Sequence, residues 1–414
     1  PAFWEPAGPV RRGWLAATLR APDEASDGRL CLRRGRPGEV LPALASEVGA
    51  TQVHHSTETE PAGAARDVTV GRLLAEVGVD LVETGSPYAV TPERVRKASG
   101  EPYRVFTPFL RAWRDHGWRA PAAEPDALLL AGAPSDPSAW AAVDAALAAC
   151  PVDLPPAGER AARQRWSEFL NHGLSGYDSA RDRPDLSGTS RLSPYLKFGV
   201  LHPRTLLADL ARHRGPGAER FTTELAWREF YADVLHHAPG SVDTDLNPLA
   251  LAYDEPDATF DAWRGGRTGY PVVDAGMREL LASGWMHNRV RMITASFLTK
   301  DLHVWWPHGA RHFLDHLIDG DVASNAHGWQ WTAGTGTDAA PYFRVFNPVS
   351  QGERFDPDGA YVRRWVPELR HLPGAAAHRP WEAPDGYSRG YPKRVVDHAA
   401  ERVEALLRYR QARA

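Results

Sequence analysis

At 414 residues the chain is longer than one hydrophobic core normally supports, so two or more domains are expected. Apolar content of 43% and charged content of 24% exclude extended disorder, and without a basic leader at Pro1 to Glu5 or a run of about 18 apolar residues a cytoplasmic protein with no membrane contact is expected. A formal net charge of -4 excludes a uniformly basic nucleic-acid binder while leaving room for a local basic groove, and the two cysteines, Cys31 and Cys150, exclude a disulfide framework or a Cys-rich metal site.

A helix-like stretch spans Arg11 to Leu19 with no strand before it, so a first strand and helix are expected to be missing from this end of the numbering. Short apolar runs at Arg29–Leu32, Gln52–His55 and Asp80–Val82 then alternate with helical patterns at Val40–Val48 and Val70–Val77. That alternation predicts a parallel sheet with crossover helices, an α/β domain over residues 1–118. Residues 119–159 are rich in Ala, Pro and Asp with little periodicity, as in an interdomain linker. Over residues 160–414 helical patterns dominate, punctuated at Pro239-Gly240, Gly265-Gly266 and Pro307, and predict a mostly α domain. Positive charge is nearly all Arg, with Lys only at 97, 197, 300 and 393; Arg offers phosphate planar, bidentate contacts that Lys cannot.

Ten of the fifteen tryptophans follow residue 160, at 166, 227, 263, 285, 305, 306, 329, 331, 365 and 381, and most suit a helical core. Trp329 and Trp331 differ, because Asn325, Gly328 and Thr335-Gly336-Thr337-Asp338 make a polar, Gly-rich setting suited to clamping a flat ligand. On a helix, Glu224, Trp227, Arg228 and Tyr231 share one face, where carboxylate, indole, guanidinium and phenol suit a nucleobase with its phosphate; a solvated face with an incidental ion pair is the plainer alternative. In Gly284–Met292, Asn288, Arg291 and Met292 share a face and Arg289 points elsewhere, while His287 reads as structural. Gly188–Pro194 is hydroxyl-rich before a helical pattern, so Thr or Ser is expected to cap a helix, with or without an anion. No Gly-x-Gly-x-x-Gly fingerprint opens a strand-turn-helix unit, so a dinucleotide would be held another way.

In this order, the blocks Gly188–Ser193, Trp227–Tyr231, Thr268–Pro271 with Asp274, Trp285–Ser296 and Asp319–Phe346 resemble the photolyase/cryptochrome family, most closely the bacterial class I cyclobutane pyrimidine dimer (CPD) photolyases. The resemblance runs essentially the whole chain. It implies a Rossmann-like α/β N-terminal domain lacking its first strand, plus an all-α C-terminal domain that binds FAD in a bent conformation. The cofactor-binding residues implied are Tyr177, Thr189, Ser190, Arg191, Leu192, Ser193, Arg228, Asn288, Arg291, Asp319, Asp321 and Asn325, with Asn325 facing flavin N5 and Arg291 paired with Asp319. Glu224, Asn325, Asn288 and Met292 are implied as catalytic. Arg181, Glu224, Trp227, Arg228, Tyr231, Asn288, Arg289, Met292, Trp331, Arg344 and Gln351 are implied as contacts to UV-damaged DNA, with Trp227 and Trp331 walling a flipped dimer.

For activation of oxidised flavin, the resemblance places Trp329 and Trp306 as proximal and middle electron-transfer stations. Tyr253 stands where the family usually has Trp and is expected to end the path as a neutral radical after releasing its proton to water, with Trp263 structural. Phe106–Phe109 and Arg66-Asp67 resemble landmarks of an antenna site, for a deazaflavin or methenyltetrahydrofolate. The expected enzyme is a monomeric, light-dependent CPD photolyase; the alternatives are a cryptochrome-like photosensor, a (6-4) photolyase and a flavin oxidoreductase, the last lacking a visible hydride-donor site.

Overall fold

The computed structural model describes residues 7–123, 125, 129–130, 132–337 and 344–413. Pro1 to Glu5, Asp338 and the 338–343 part of the Asp319–Phe346 block lie outside the described residues. The chain forms two compact units, Pro1–His172 with Arg191–Pro239, and Gly173–Ser190 with Gly240–Ala414.

In the first unit, α1 (Pro9–Ala25), α2 (Pro37–Val48) and α3 (Pro61–Ala75) each open on a proline, whose missing N–H costs nothing in the first turn. Between them β1 (Gln52–His55) pairs in parallel with β2 (Asp80–Glu83), Val53 opposite Leu81, and α3 makes the crossover. Val53 and Leu81 pack on Ala45, Val70, Leu74 and Val79, which makes this βαβ piece the α/β part that the sequence predicts. Two expectations differ. Arg29–Leu32 is not a strand: Leu32 N–H and Leu30 C=O bond the Ser135 hydroxyl at 2.9 and 2.8 Å, and Leu32 C=O takes Asp136 N–H, so no ladder forms. The segment 119–159 contains a helix, α5 (Pro137–Ala148), capped by Asp136 through Ser138 N–H and packed on α1. An Ala-rich helix needs no amphipathic stripe to form, and a hydrophobic-period reading passes over it.

The same unit includes α4 (Phe106–His116), α6 (Glu159–His172), α8 (Ser193–Lys197), α9 (Pro203–Leu210) and α10 (Pro216–His237), so residues 191–239 group with the N-terminal part. The second unit holds α7 (Tyr177–Ala180), α11 (Ala258–Arg264), α12 (Pro271–Ser283), α13 (Asn288–Ser296), α14 (Trp306–His316), α15 (Val322–Ala333), α16 (Pro348–Phe355), α17 (Ala360–Trp365) and α18 (His398–Gln411). Its core is built on large rings, and several buried polar tips find partners: Trp263 Nε1 donates to Thr294 O at 3.0 Å and Tyr361 Oη to Glu279 Oε2 at 2.7 Å. A π-helical turn, Phe297–Asp301, continues α13 and is wholly buried against α18.

Candidate functional site

In the second unit α15 packs on both α13 and α14, and a cavity of about 120 Å³ is lined by residues of all three, among them Asn288, Arg291, Met292, Asn325 and Trp329, with Asp319 from the loop before α15. Helical spacing puts Asn288, Arg291 and Met292 on one face of α13, and that face lines the cavity. His287 caps this helix by accepting Arg289 N–H on Nδ1 at 3.2 Å. The cap needs an unprotonated ring, and burial pushes the His287 pKa down to about 4.

Arg291 anchors the polar side. Its Nη2 donates to Asp319 Oδ1 and Oδ2 at 3.1 and 2.9 Å, and its Nε to Met286 O at 2.8 Å. Asp319 is buried, so an unpaired carboxylate there would cost several kcal/mol, and the guanidinium removes that cost while keeping positive charge at the cavity. Asp321 caps α15 through Ser324 N–H at 2.8 Å and so fixes where that helix begins.

Asn325, one turn into α15, donates Nδ2 to Ala310 O at 2.9 Å. A backbone carbonyl only accepts, so the amide nitrogen is committed to α14 and Oδ1 is the acceptor available to a ligand. Trp329, 2% exposed, lies against Gly309, where an added Cβ would come within 2.2 Å of its Cη2. Among the described residues, Trp329 Nε1 is buried without a hydrogen-bond partner. Trp306, three residues before Gly309 on α14, is fully buried and donates Nε1 to Asp245 Oδ1 at 2.7 Å. Tyr253 differs from its expected part, because its hydroxyl is buried with no hydrogen-bond partner among the described residues rather than open to water. Burial, and then Asp245, push its pKa upward.

The other predicted residues separate into groups. Arg289 lies off the shared face of α13, paired with Asp182 at 3.0 Å and stacked over Phe355 at 4.5 Å. Trp331 is half-buried and does not line the cavity. Tyr177 is buried on α7 with Arg181 over its ring, Arg344 is exposed, and Gln351 sits on α16. Thr189 and Ser190 precede α8, whose N-cap is Leu192, with Arg191 at φ 52°; Ser193 is the first helical residue.

Glu224, Trp227, Arg228 and Tyr231 lie on α10 in the first unit. Trp227 stacks on Phe106 with centroids 3.6 Å apart, and also touches Tyr231. Arg228 donates to Pro87 O at 2.8 Å and Leu196 O at 3.3 Å and lies over Tyr88, while Glu224 pairs with Arg220 at 2.9 Å. The sequence reading missed their neighbour Glu229, fully buried, which accepts N–H from Ala89, Val90 and Trp113. It also missed Asp245. Neither could be found from motif or period, since each acts through a partner more than 60 residues away.

A guanidinium fixed by a buried carboxylate, an amide oxygen held ready on a helix and an apolar wall of Met292, Phe313 and Trp329 define a helical protein that binds a flat, amphipathic cofactor. Residues 221–411 match the FAD binding domain of DNA photolyase, and residues 1–126 match the DNA photolyase family. The chain is 42% identical over 398 residues to the deoxyribodipyrimidine photo-lyase of Streptomyces griseus, covering 93% of this chain and 84% of that one. A bacterial class III photolyase from Agrobacterium tumefaciens matches in structure with TM-score 0.84 and 38% identity, over 98% of this chain and 89% of that one. A Synechocystis cryptochrome matches with TM-score 0.82 and 26% identity, over 97% and 88%. The chain belongs to the DNA photolyase family, and the cavity lies within its FAD-binding domain.

Proposed function

We propose that the chain repairs cyclobutane pyrimidine dimers in UV-damaged DNA under light. FAD, when bound and reduced, supplies the electron that opens the cyclobutane ring and receives it back. The residues present suit that group: Arg291 places positive charge where an anionic reduced ring is stabilised, and Asn325 Oδ1 can accept a hydrogen bond from a ring N–H. The fixed Asn325 amide is the observation that carries the reading, because an acceptor at that place favours the protonated, reduced state. Met292, Phe313 and Leu317 give the same cavity an apolar part of its wall.

The remaining assignments follow the family pattern: Glu224, Trp227, Arg228 and Tyr231 on α10, and Arg181, Asn288, Arg289, Trp331, Arg344 and Gln351 in the second unit, are proposed as contacts to the lesion and its strand. Tyr177 and Thr189–Ser193 are proposed for the cofactor, with a deazaflavin or folate antenna in the first unit. A monomer, the 1–118, 119–159 and 160–414 functional division and a cytoplasmic location belong to the same proposal; among the described residues no helix is long and apolar enough to cross a membrane. The test is to photoreduce the purified protein and measure light-dependent thymine-dimer repair in single- and double-stranded oligonucleotides. Repair in both is expected. FAD binding and stable photoreduction without repair would instead favour a cryptochrome-like sensor.

A further inference from the structure

We infer that the electron path to the cavity enters from the surface through Trp305 and Trp306, and that Asp245 directs it there. The inference rests on the flavoprotein reading above. Two ways from Trp329 toward a further tryptophan are open among the described residues. One passes to Trp263, whose ring centroid lies 6.0 Å away, and among the described residues it meets no other tryptophan or tyrosine there, the next rings being Phe260 at 5.8 Å, Phe313 at 6.1 Å and His312 at 5.5 Å. Trp263 is fully buried and its Nε1 faces a neutral carbonyl, Thr294 O, so a positive charge there has no counter-ion and its proton no route to water. The other route follows α14, where Trp329 rests on Gly309 and Trp306 stands one turn earlier. Trp306 Nε1 donates to the Asp245 carboxylate, which stabilises a positive charge on that indole. Trp305 follows with its centroid 6.5 Å from that of Trp306, and it is partly exposed.

Tyr253 lies 6.5 Å beyond Trp305. Oxidising a tyrosine requires its proton to leave, and this hydroxyl is buried with no hydrogen-bond partner among the described residues and with Asp245 in its field. Trp305 is therefore the outermost donor. One electron moves from Trp305 to Trp306, then to Trp329, then to the light-excited oxidised cofactor; Trp305 is left one electron short, loses its indole proton to water, and is restored by a thiol reductant in solution.

The test is transient absorption on the FAD-loaded full chain after a blue flash. Trp305→Phe is expected to lose the long-lived indole radical and Tyr253→Phe to retain it, and Asp245→Asn is expected to lower its yield about tenfold, the worth of one charge-assisted hydrogen bond. Ultraviolet resonance Raman on the cofactor-free protein should show a weaker hydrogen bond from the Trp306 indole in Asp245→Asn. Repair by chemically reduced protein should persist in Trp305→Phe, which shows that it is folded. A retained radical in Trp305→Phe, or its loss in Tyr253→Phe, overturns the inference; failure to bind FAD overturns the flavoprotein reading instead.

Discussion

The α10 segment and the α13–α15 cavity carry the same kind of residues, charged and aromatic side chains at helical spacing, and use them oppositely. On α10 the polar atoms are committed to other parts of the same unit: Arg228 to the carbonyls of Pro87 and Leu196, Glu229 to the N–H groups of Ala89, Val90 and Trp113. Around the cavity, Asp319 fixes the Arg291 guanidinium in place and Asn325 commits its nitrogen, which leaves its oxygen for a ligand. The Arg228 and Glu229 contacts of α10 thus serve the fold of their own unit, while the cavity keeps hydrogen-bonding capacity for a ligand.

The largest effect should come from breaking the committed side. Glu229→Ala leaves three buried donors unpaired, including Trp113 Nε1, and is expected to cost about 3–5 kcal/mol in denaturant unfolding. Burial raises the Glu229 pKa from 4.5 to about 7 against the opposing pull of those bonds, so the folded state binds the proton more tightly than the unfolded one. The stability so contributed is complete below about pH 4.5 and is lost as pH rises through about 7. Asp233, raised by burial to about 6, overlaps the lower part of that window, and His287, His312 and His327, lowered by burial, act in the opposite sense, so the decline that Glu229 contributes is the difference between the parent and Glu229→Gln profiles. Glu229→Gln should remove that decline, and an unchanged slope there would remove this account of the residue.

Next in size is Gly309→Ala. Its Cβ would meet Trp329 Cη2 at 2.2 Å and Leu298 Cδ2 at 2.6 Å, both in packed core, and the expected cost is about 1–3 kcal/mol with a changed near-ultraviolet tryptophan signal. Asn325→Leu should matter less to folding and more to redox. Removing the acceptor is expected to speed air oxidation of the reduced cofactor about tenfold, with DNA binding unchanged. Equal oxidation rates in the two proteins would show that the amide is only a tether between α15 and α14.

Much of the cavity lining was legible in the sequence because its residues repeat within single helices: Asn288, Arg291 and Met292 on one face of α13, Asn325 and Trp329 one turn apart on α15. β1 was legible for the same reason, as a local run. What escaped depends on distant partners. Arg29–Leu32 reads as a strand, but its backbone bonds go to Ser135 and Asp136, and nothing near Tyr253 in the sequence shows that its hydroxyl is buried. Asp245 carries no motif; only the fold brings it to Trp306.

The smallest effect separates two arginines that the family pattern treats alike. Arg344 is exposed, so Arg344→Ala should leave the melting temperature unchanged and weaken binding to damaged and undamaged DNA by the same factor. The slope of log affinity against log salt should fall by about one, since a single phosphate contact releases about one counter-ion. Arg228, tied to two carbonyls and the Tyr88 ring, should behave differently: Arg228→Ala strands those acceptors and lowers the melting temperature before any DNA is added. If both variants melt like the parent and differ only in salt slope, the Arg228 contacts do not hold the fold, and the contrast between a committed helix face and an available one fails at that residue.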